Sequence, residues 1–425
     1  MKKILLFILF FILISPQPVL ASVVTNRTDG IALFNSQPFF PVGLFYWFPN
    51  DNPAVPTDHS GQMQTLKDTG FNTVFLGGNR TDISYLDQAQ NLGLKVVNYN
   101  GIYNSDANYI KAISNHPSLL AWYGIDEPNS INLCNWNPTT KTCSFNDANP
   151  TVSNLTNKYN SLWSNNINNH PIWTIYSMGE TNEQIKAWHE LSKSSIGGID
   201  IYPAVSQFTN FCVKKNISCV GEMTDKVVAA LGSNKPVWMG LQGFTTSPEG
   251  YGGIPPTLTQ TRFMAYDSIV HGATGIFWWD YDLKTTDDLW RSLKLMVTEL
   301  TDSNINPALL GINRTITQSG PVKILSTADV SGKYKYKIAV NETTQPAGNY
   351  SISGFAPNAD VFVLVENRWL KADNTGAIND RFEDWSVHLY RQEIINIVDI
   401  SALRSLLQNF TTIFDYNILV GNYGR

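Results

Sequence analysis

The chain has 425 residues, of which 43% are hydrophobic, 12% aromatic and only 15% charged. This balance excludes a disordered or low-complexity chain, and the length allows two or three domains. A formal net charge of −5 argues against DNA, RNA or an anionic membrane as the main partner, whereas 12 Trp and 18 Tyr suit a surface that stacks on flat apolar faces such as sugar rings.

Residues 1–21 read as a secretory signal peptide. Lys2 and Lys3 supply the charged start, Ile4–Ile14 the apolar run, and Val19-Leu20-Ala21 the small residues of a cleavage site. An uncleaved N-terminal anchor is the other reading, because apolar character continues to Val24. Either way the expected location is secreted or at the cell surface. The four cysteines agree with export and fall into two close pairs, Cys134/Cys143 and Cys212/Cys219. Local pairing would staple one polar loop each. A zinc site is the alternative, although the chain has no CxxC spacing and no His near either pair.

From Phe39 to Leu300 short apolar runs alternate with segments of helical period. The runs include Asn72–Gly77, Leu119–Ile125, Pro171–Tyr176, Gly198–Tyr202, Pro236–Leu241 and Gly275–Trp279. Helices are expected at Asp58–Thr69, Ile83–Leu92, Val152–Asn168, Thr224–Leu231, Thr261–Val270 and Asp288–Leu300, with Thr181 and Thr224 as caps. A strand–helix unit repeated eight times predicts an α/β fold, a (β/α)8 TIM barrel over residues 30–305. The rival, a doubly wound sheet, would carry a glycine-rich first turn that is not found. Beyond Pro307 the pattern becomes strand-like, clearest at Tyr334–Val340, and predicts a small all-β sandwich over residues 306–391. Residues 392–425 read as a short C-terminal helical segment.

In such a barrel the chemistry sits at the C-terminal strand ends. Read in order, these offer Trp47, then Asn79 and Arg80, then Asn98, Tyr99 and Asn100, then Asp126-Glu127-Pro128. Tyr176, then Asp200 and Tyr202, then Gln242, and finally Trp278, Trp279, Asp280 and Asp282 complete the rim. This rim is acidic, amidic and aromatic, with no phosphate-binding loop and no metal cluster, so no cofactor or metal is expected. Carboxylates, amides and Trp faces are what cleavage of a glycosidic bond requires: one carboxylic acid protonates the leaving oxygen while a second carboxylate attacks or activates water.

The segment His116–Pro128, ending Gly124-Ile125-Asp126-Glu127-Pro128, resembles strand four of the large retaining clan of (β/α)8 glycoside hydrolases. The likeness extends through Gly70–Val74, Asp200-Ile201-Tyr202-Pro203 and His271–Gly275, and covers about residues 38–300. It implies that Glu127 is the catalytic acid/base and that Trp278 or Trp279 floors the sugar subsite. Trp47, Asn100, Asp126, Tyr176, Tyr202 and Gln242 are the further expected substrate contacts. The sandwich ending in Val387–Tyr390 resembles the C-terminal β domain of many such enzymes. The departure lies at strand seven, where the clan places its nucleophilic Glu and this chain has Gln242. Three readings stay open. Another carboxylate serves, with Asp200, Asp280 and Glu249 available; or the enzyme inverts, with that carboxylate holding a water; or catalysis is lost and sugar binding kept.

The tail resembles the helical halves of dockerin repeats, with Asp399 and Asp415 matching the last loop ligand but without the preceding ligands. It implies calcium or a weak protein partner there; a helical hairpin packed on the sandwich is the other reading. The expectation for the whole chain is a secreted glycoside hydrolase acting on carbohydrate. A catalytically impaired glycan-binding protein on the same barrel is the alternative, and attachment to a surface through the tail a third.

Overall fold

The computed structural model describes residues 21–47, 60–77, 83–103, 106–128, 134–137, 139–140, 142–145, 150–245, 255–279, 287–343 and 347–394. Residues 1–20 of the signal segment, residues 395–425 of the dockerin-like tail, Asn79, Arg80, Glu249, Asp280 and Asp282 lie outside them, while residues 392–393, expected in the tail, belong to the last sandwich strand.

The chain opens with a small antiparallel sheet of β1 (Val24–Asn26), β2 (Ala32–Phe34) and β3 (Gln37–Phe39). Val24, Ala32 and Phe34 join the cluster inside the barrel, and the Lys95 ammonium lies 4.1 Å over the Phe34 ring. The sheet therefore closes the barrel at its N-terminal end.

The strand–helix repeat follows. It runs β4 (Val42–Trp47), α1 (Ser60–Thr69), β5 (Thr73–Gly77), α2 (Ser84–Asn91), β6 (Lys95–Asn98), α3 (Asn100–Tyr103), α4 (Ala107–Ser114) and β7 (Leu119–Asp126). A hairpin of β8 (Cys134–Asn137) and β9 (Thr142–Phe145) interrupts it. It resumes with α5 (Pro150–Asn165), β10 (Ile172–Tyr176), α6 (Asn182–Ser192), β11 (Ile196–Ile201), α7 (Cys219–Leu231), β12 (Trp238–Gln242), α8 (Leu258–Val270), β13 (Gly275–Trp279), α9 (Asp288–Thr301) and α10 (Asn306–Leu310). The eight strands β4, β5, β6, β7, β10, β11, β12 and β13 close into a parallel barrel, so the expected TIM architecture is present. Strands buried on both faces read as continuous apolar runs, which is why they were visible in the sequence.

Helix starts follow their caps. Thr181 and Gln184 form a reciprocal capping box on α6, and Thr257 and Gln260 another on α8. Thr224 is not a cap, contrary to expectation: α7 begins five residues earlier, and the Thr224 hydroxyl donates back to the Val220 carbonyl. The barrel interior is aromatic. Phe45, Phe75, Tyr123, Trp173, Trp238 and Phe277 interlock, with ring centroids as close as 4.4 Å. Such bulk needs missing side chains opposite; a Cβ on Gly43 would stand 2.3 Å from the Phe277 ring.

The C-terminal part has a six-stranded sheet in the order β14-β15-β16-β21-β18-β19 and a two-stranded sheet β17-β20. Their ranges are β14 (Ile312–Ser319), β15 (Val322–Ala328), β16 (Tyr334–Asn341), β17 (Gly348–Ile352), β18 (Asp360–Val363), β19 (Arg368–Lys371), β20 (Ile378–Phe382) and β21 (Val387–Glu393). Ile324, Ile352, Val361, Phe382 and Tyr390 fill the space between the sheets. The sandwich is fastened to α8: Arg262 holds Glu299 of α9 at 2.8 Å and donates to the Val387 carbonyl at 2.9 Å. Cys212 and Cys219 form the expected local disulfide, with Cα atoms 5.5 Å apart. The β8–β9 register sets Trp136 opposite Cys143, while the Cys134 and Cys143 side chains lie outside the described residues.

Candidate active site

A cavity of about 300 Å³ opens at the C-terminal ends of the barrel strands. That is the lower end of the range for small-molecule sites, about 300–1,000 Å³. Phe45 of β4, Phe75 of β5, Tyr99 just after β6 and Trp279 of β13 form an aromatic wall. Tyr123 and Asp126 of β7, Ile175 of β10, Asp200 of β11 and Tyr202 just beyond it supply the rest. The wall is tightly ordered: Tyr99 stacks on Tyr123 at 5.9 Å, and Tyr202 meets Trp279 edge-on at 5.7 Å.

Strand β7 is irregular where it matters. Tyr123 pairs with Trp173, but Asp126 pairs with Ile175, so three steps on β7 match two on β10. This bulge breaks the alternation and brings both Tyr123 and Asp126 to the cavity. The Tyr123 hydroxyl donates to Asp126 Oδ1 at 2.6 Å. The next residue, Glu127, has φ of +38°, a left-handed conformation that costs a non-glycine residue roughly 1–3 kcal/mol. Its N–H donates to the Ile175 carbonyl at 3.1 Å. Backbone strain of this kind gathers at functional sites.

Asp200 is a strongly perturbed carboxyl. It is 6% exposed. Burial first, and then the negative charges of Glu127 and Asp126, push it well above the usual carboxylate range. The Tyr202 hydroxyl donates to its Oδ2 at 2.8 Å, while Oδ1 is buried without a hydrogen-bond partner. The Tyr202 phenol is itself raised well above its ordinary value, by burial and then by Asp200.

The other expected residues divide. Asp126, Asp200, Tyr202 and Trp279 line the mouth, and Glu127, next to Asp126, acts on the Asp200 carboxyl through its charge. Trp278 does not: alternation along β13 turns it outward, fully buried, with its ring 6.2 Å from Phe71 in the helix layer. Tyr176 also faces outward, its hydroxyl 3.1 Å from His189 Nδ1 on α6. Asn98 likewise turns from the mouth and donates to the Tyr85 hydroxyl. Gln242 is on the inner face, as alternation implies, but it is fully buried and its amide is used internally. Its Oε1 accepts from Ala204 N at 3.2 Å and its Nε2 donates to the Phe244 carbonyl at 3.2 Å. The side chains of Trp278, Tyr176, Asn98 and Gln242 are structural and do not line the cavity. The side chains of Trp47 and Asn100 lie outside the described residues; the Trp47 backbone pairs with Gly77. Phe45, Phe75, Tyr123 and Ile175 were not expected at the site. The inner-face period of β4 and β5 pointed to the first two, whereas the bulge that exposes Tyr123 beside Asp126 leaves no mark in the sequence.

No protein-family model matches the chain, and no curated protein matches it. Solved glycoside hydrolases share its fold. One glycoside hydrolase superposes with a TM-score of 0.57 at 12% identity, covering 88% of this chain and 97% of its own. A family 5 glycoside hydrolase from Bacteroides vulgatus gives a TM-score of 0.57 at 12% identity, covering 88% of this chain and 93% of its own. These spans are too long for the barrel alone and include the sandwich. At such identity the likeness establishes the fold.

Proposed function

We propose that the protein is a secreted glycoside hydrolase that cleaves O-glycosidic bonds of an oligo- or polysaccharide by carboxylate acid/base catalysis. The observation that carries this reading is the pairing of Asp200, a buried carboxyl whose proton affinity is strongly raised, with Asp126 in an aromatic-walled cavity, where the neighbouring Glu127 charge also acts on Asp200. Two carboxyl groups whose surroundings drive their proton affinities apart are the acid and base of such a reaction. The resemblance gives Glu127 the acid/base role. The environment of Asp200 favours it as the proton donor, with Glu127 as the second carboxylate.

The sugar ring stacks on Trp279 and Tyr99. As the bond from the anomeric carbon to the leaving oxygen breaks, Asp200 Oδ1 delivers its proton to that oxygen. Tyr202, already donating to Oδ2, stabilises the carboxylate left behind. Glu127 attacks the anomeric carbon or takes a proton from a water that attacks it. Asp126, fixed by Tyr123, is placed to accept from a sugar hydroxyl. Asp200→Asn and Glu127→Gln are each expected to lower turnover of an aryl glycoside by about 10²–10⁴-fold with the fold intact. Unchanged turnover in either variant refutes its assignment. The anomer released first, read by NMR, distinguishes attack by Glu127 from attack by water.

A second reading, a glycan-binding protein without turnover, is favoured by Gln242 at the strand-seven position. Calorimetric binding of oligosaccharides with no product after prolonged incubation would select it.

A further inference from the structure

A second buried polar cluster lies far from the cavity, at the seam between barrel and sandwich. Asp267 and His271 lie one turn apart at the end of α8, and Glu342 directly follows β16. Their side chains are 0%, 4% and 8% exposed. One ligand-type atom from each lies within 4.8 Å of the others. His271 Nε2 touches Glu342 Oε1 and is 3.8 Å from Asp267 Oδ1. That Asp267 oxygen is buried without a hydrogen-bond partner.

The outward carboxylate atoms accept hydrogen bonds from behind, and the outward histidine nitrogen has a carboxylate at ion-pair distance. His271 Nδ1 is 2.9 Å from Asp225 Oδ2, Asp267 Oδ2 accepts from Gly221 N at 2.8 Å, and Glu342 Oε2 accepts from Lys214 Nζ at 2.7 Å. A carboxylate behind a histidine fixes the tautomer that turns the other ring nitrogen toward a metal. Gly221 leaves the necessary room; a Cβ there would stand 2.5 Å from His271 Nε2 and 2.9 Å from Asp267 Oδ2.

We propose that Asp267, His271 and Glu342 form a structural divalent-metal site that clamps α8 to the sandwich, with zinc as the ion. One imidazole and two carboxylates suit zinc, and a water would complete four-coordination. The site departs from the sequence expectation of no metal, because its third ligand lies 71 residues from His271.

The test uses the full chain without a polyhistidine tag, stripped by chelator and titrated with zinc chloride by calorimetry and by thermal melting. One zinc per chain and a raised Tm are expected. Asp267→Asn and His271→Gln are expected to weaken uptake at least about 100-fold, and Asp225→Asn about 10–100-fold. Asp225 is 55% exposed, so its variant carries the test if the buried ones fail to fold. No uptake by the unaltered chain, or uptake unchanged in Asp225→Asn, overturns the site and identifies the cluster as an ion pair only. Neither readout depends on glycoside cleavage.

Discussion

Asp200 at the barrel mouth and Asp267 at the seam are the same group in two burial sites with opposite neighbours. Each is buried, and each has an Oδ1 without a hydrogen-bond partner. Around Asp200 the acting charges are Glu127 and Asp126, both negative, and the carboxyl is driven well above its ordinary range. Around Asp267 burial again raises the carboxyl, but His271 opposes it, and the value stops at about 7. The neighbouring Glu342, which burial alone would raise, is brought to about 2 by hydrogen bonds from His271 and Lys214. Burial makes a carboxyl expensive to ionise; the charge of its neighbours decides whether it then serves a proton or a cation. The mouth faces an open cavity and serves the first purpose, and the closed seam the second.

The largest expected effect that sharpens this contrast is in Asp200→Asn. Activity falls by about 10²–10⁴-fold, yet stability rises. A carboxyl with a raised folded-state pKa contributes stability that is present below its unfolded value and lost as pH rises toward the folded value. At neutral pH the amide removes that cost, so Tm is expected to increase on the order of 2 °C in a thermal melt. A drop in Tm would mean that Asp200 is stabilised rather than strained by its site.

Next is Arg262→Ala at the seam. It leaves Glu299 partly buried without its guanidinium, and unfolding in urea is expected to show a loss of about 3 kcal/mol. An unchanged midpoint would show that the sandwich is held by apolar contacts alone.

Gln242→Glu restores the carboxylate that the resemblance places on strand seven. The new oxygen would face the Phe244 carbonyl in place of a donating amide. A loss of about 1–3 kcal/mol with no gain in turnover is expected. A gain in turnover would show that the strand-seven position remains catalytic.

The smallest effect is in the pH profile. Because Asp200 must hold its proton to act, turnover should be high below its raised pKa and fall as pH rises through it. In Asp200→Asn that alkaline limb should vanish; its survival would assign the limb to another group.

Much of the barrel was legible because a strand buried on both faces must be apolar throughout, as in Leu119–Tyr123 and Trp238–Leu241. The sandwich was legible from alternation at Tyr334–Val340. The site was legible only in part. The sequence reading left Trp278 and Trp279 both open as the sugar floor on β13, where the structure turns Trp279 to the cavity and Trp278 to the helices, and on β7 the bulge resets the period between Tyr123 and Asp126. The seam cluster was not legible at all, since Gly221, Asp225, Asp267, His271 and Glu342 meet only after α7, α8 and β16 have packed.

The most direct measurement is a carbon-13 NMR titration of the Asp200 carboxyl, with Asp200→Asn used to assign its signal. It needs no knowledge of the sugar. A carboxyl that titrates well above the ordinary carboxylate range, and is lowered toward its ordinary value when Glu127→Gln removes the neighbouring charge, is the expected result. A carboxyl that ionises near 3.8 in the unaltered chain would contradict the proton-donor assignment.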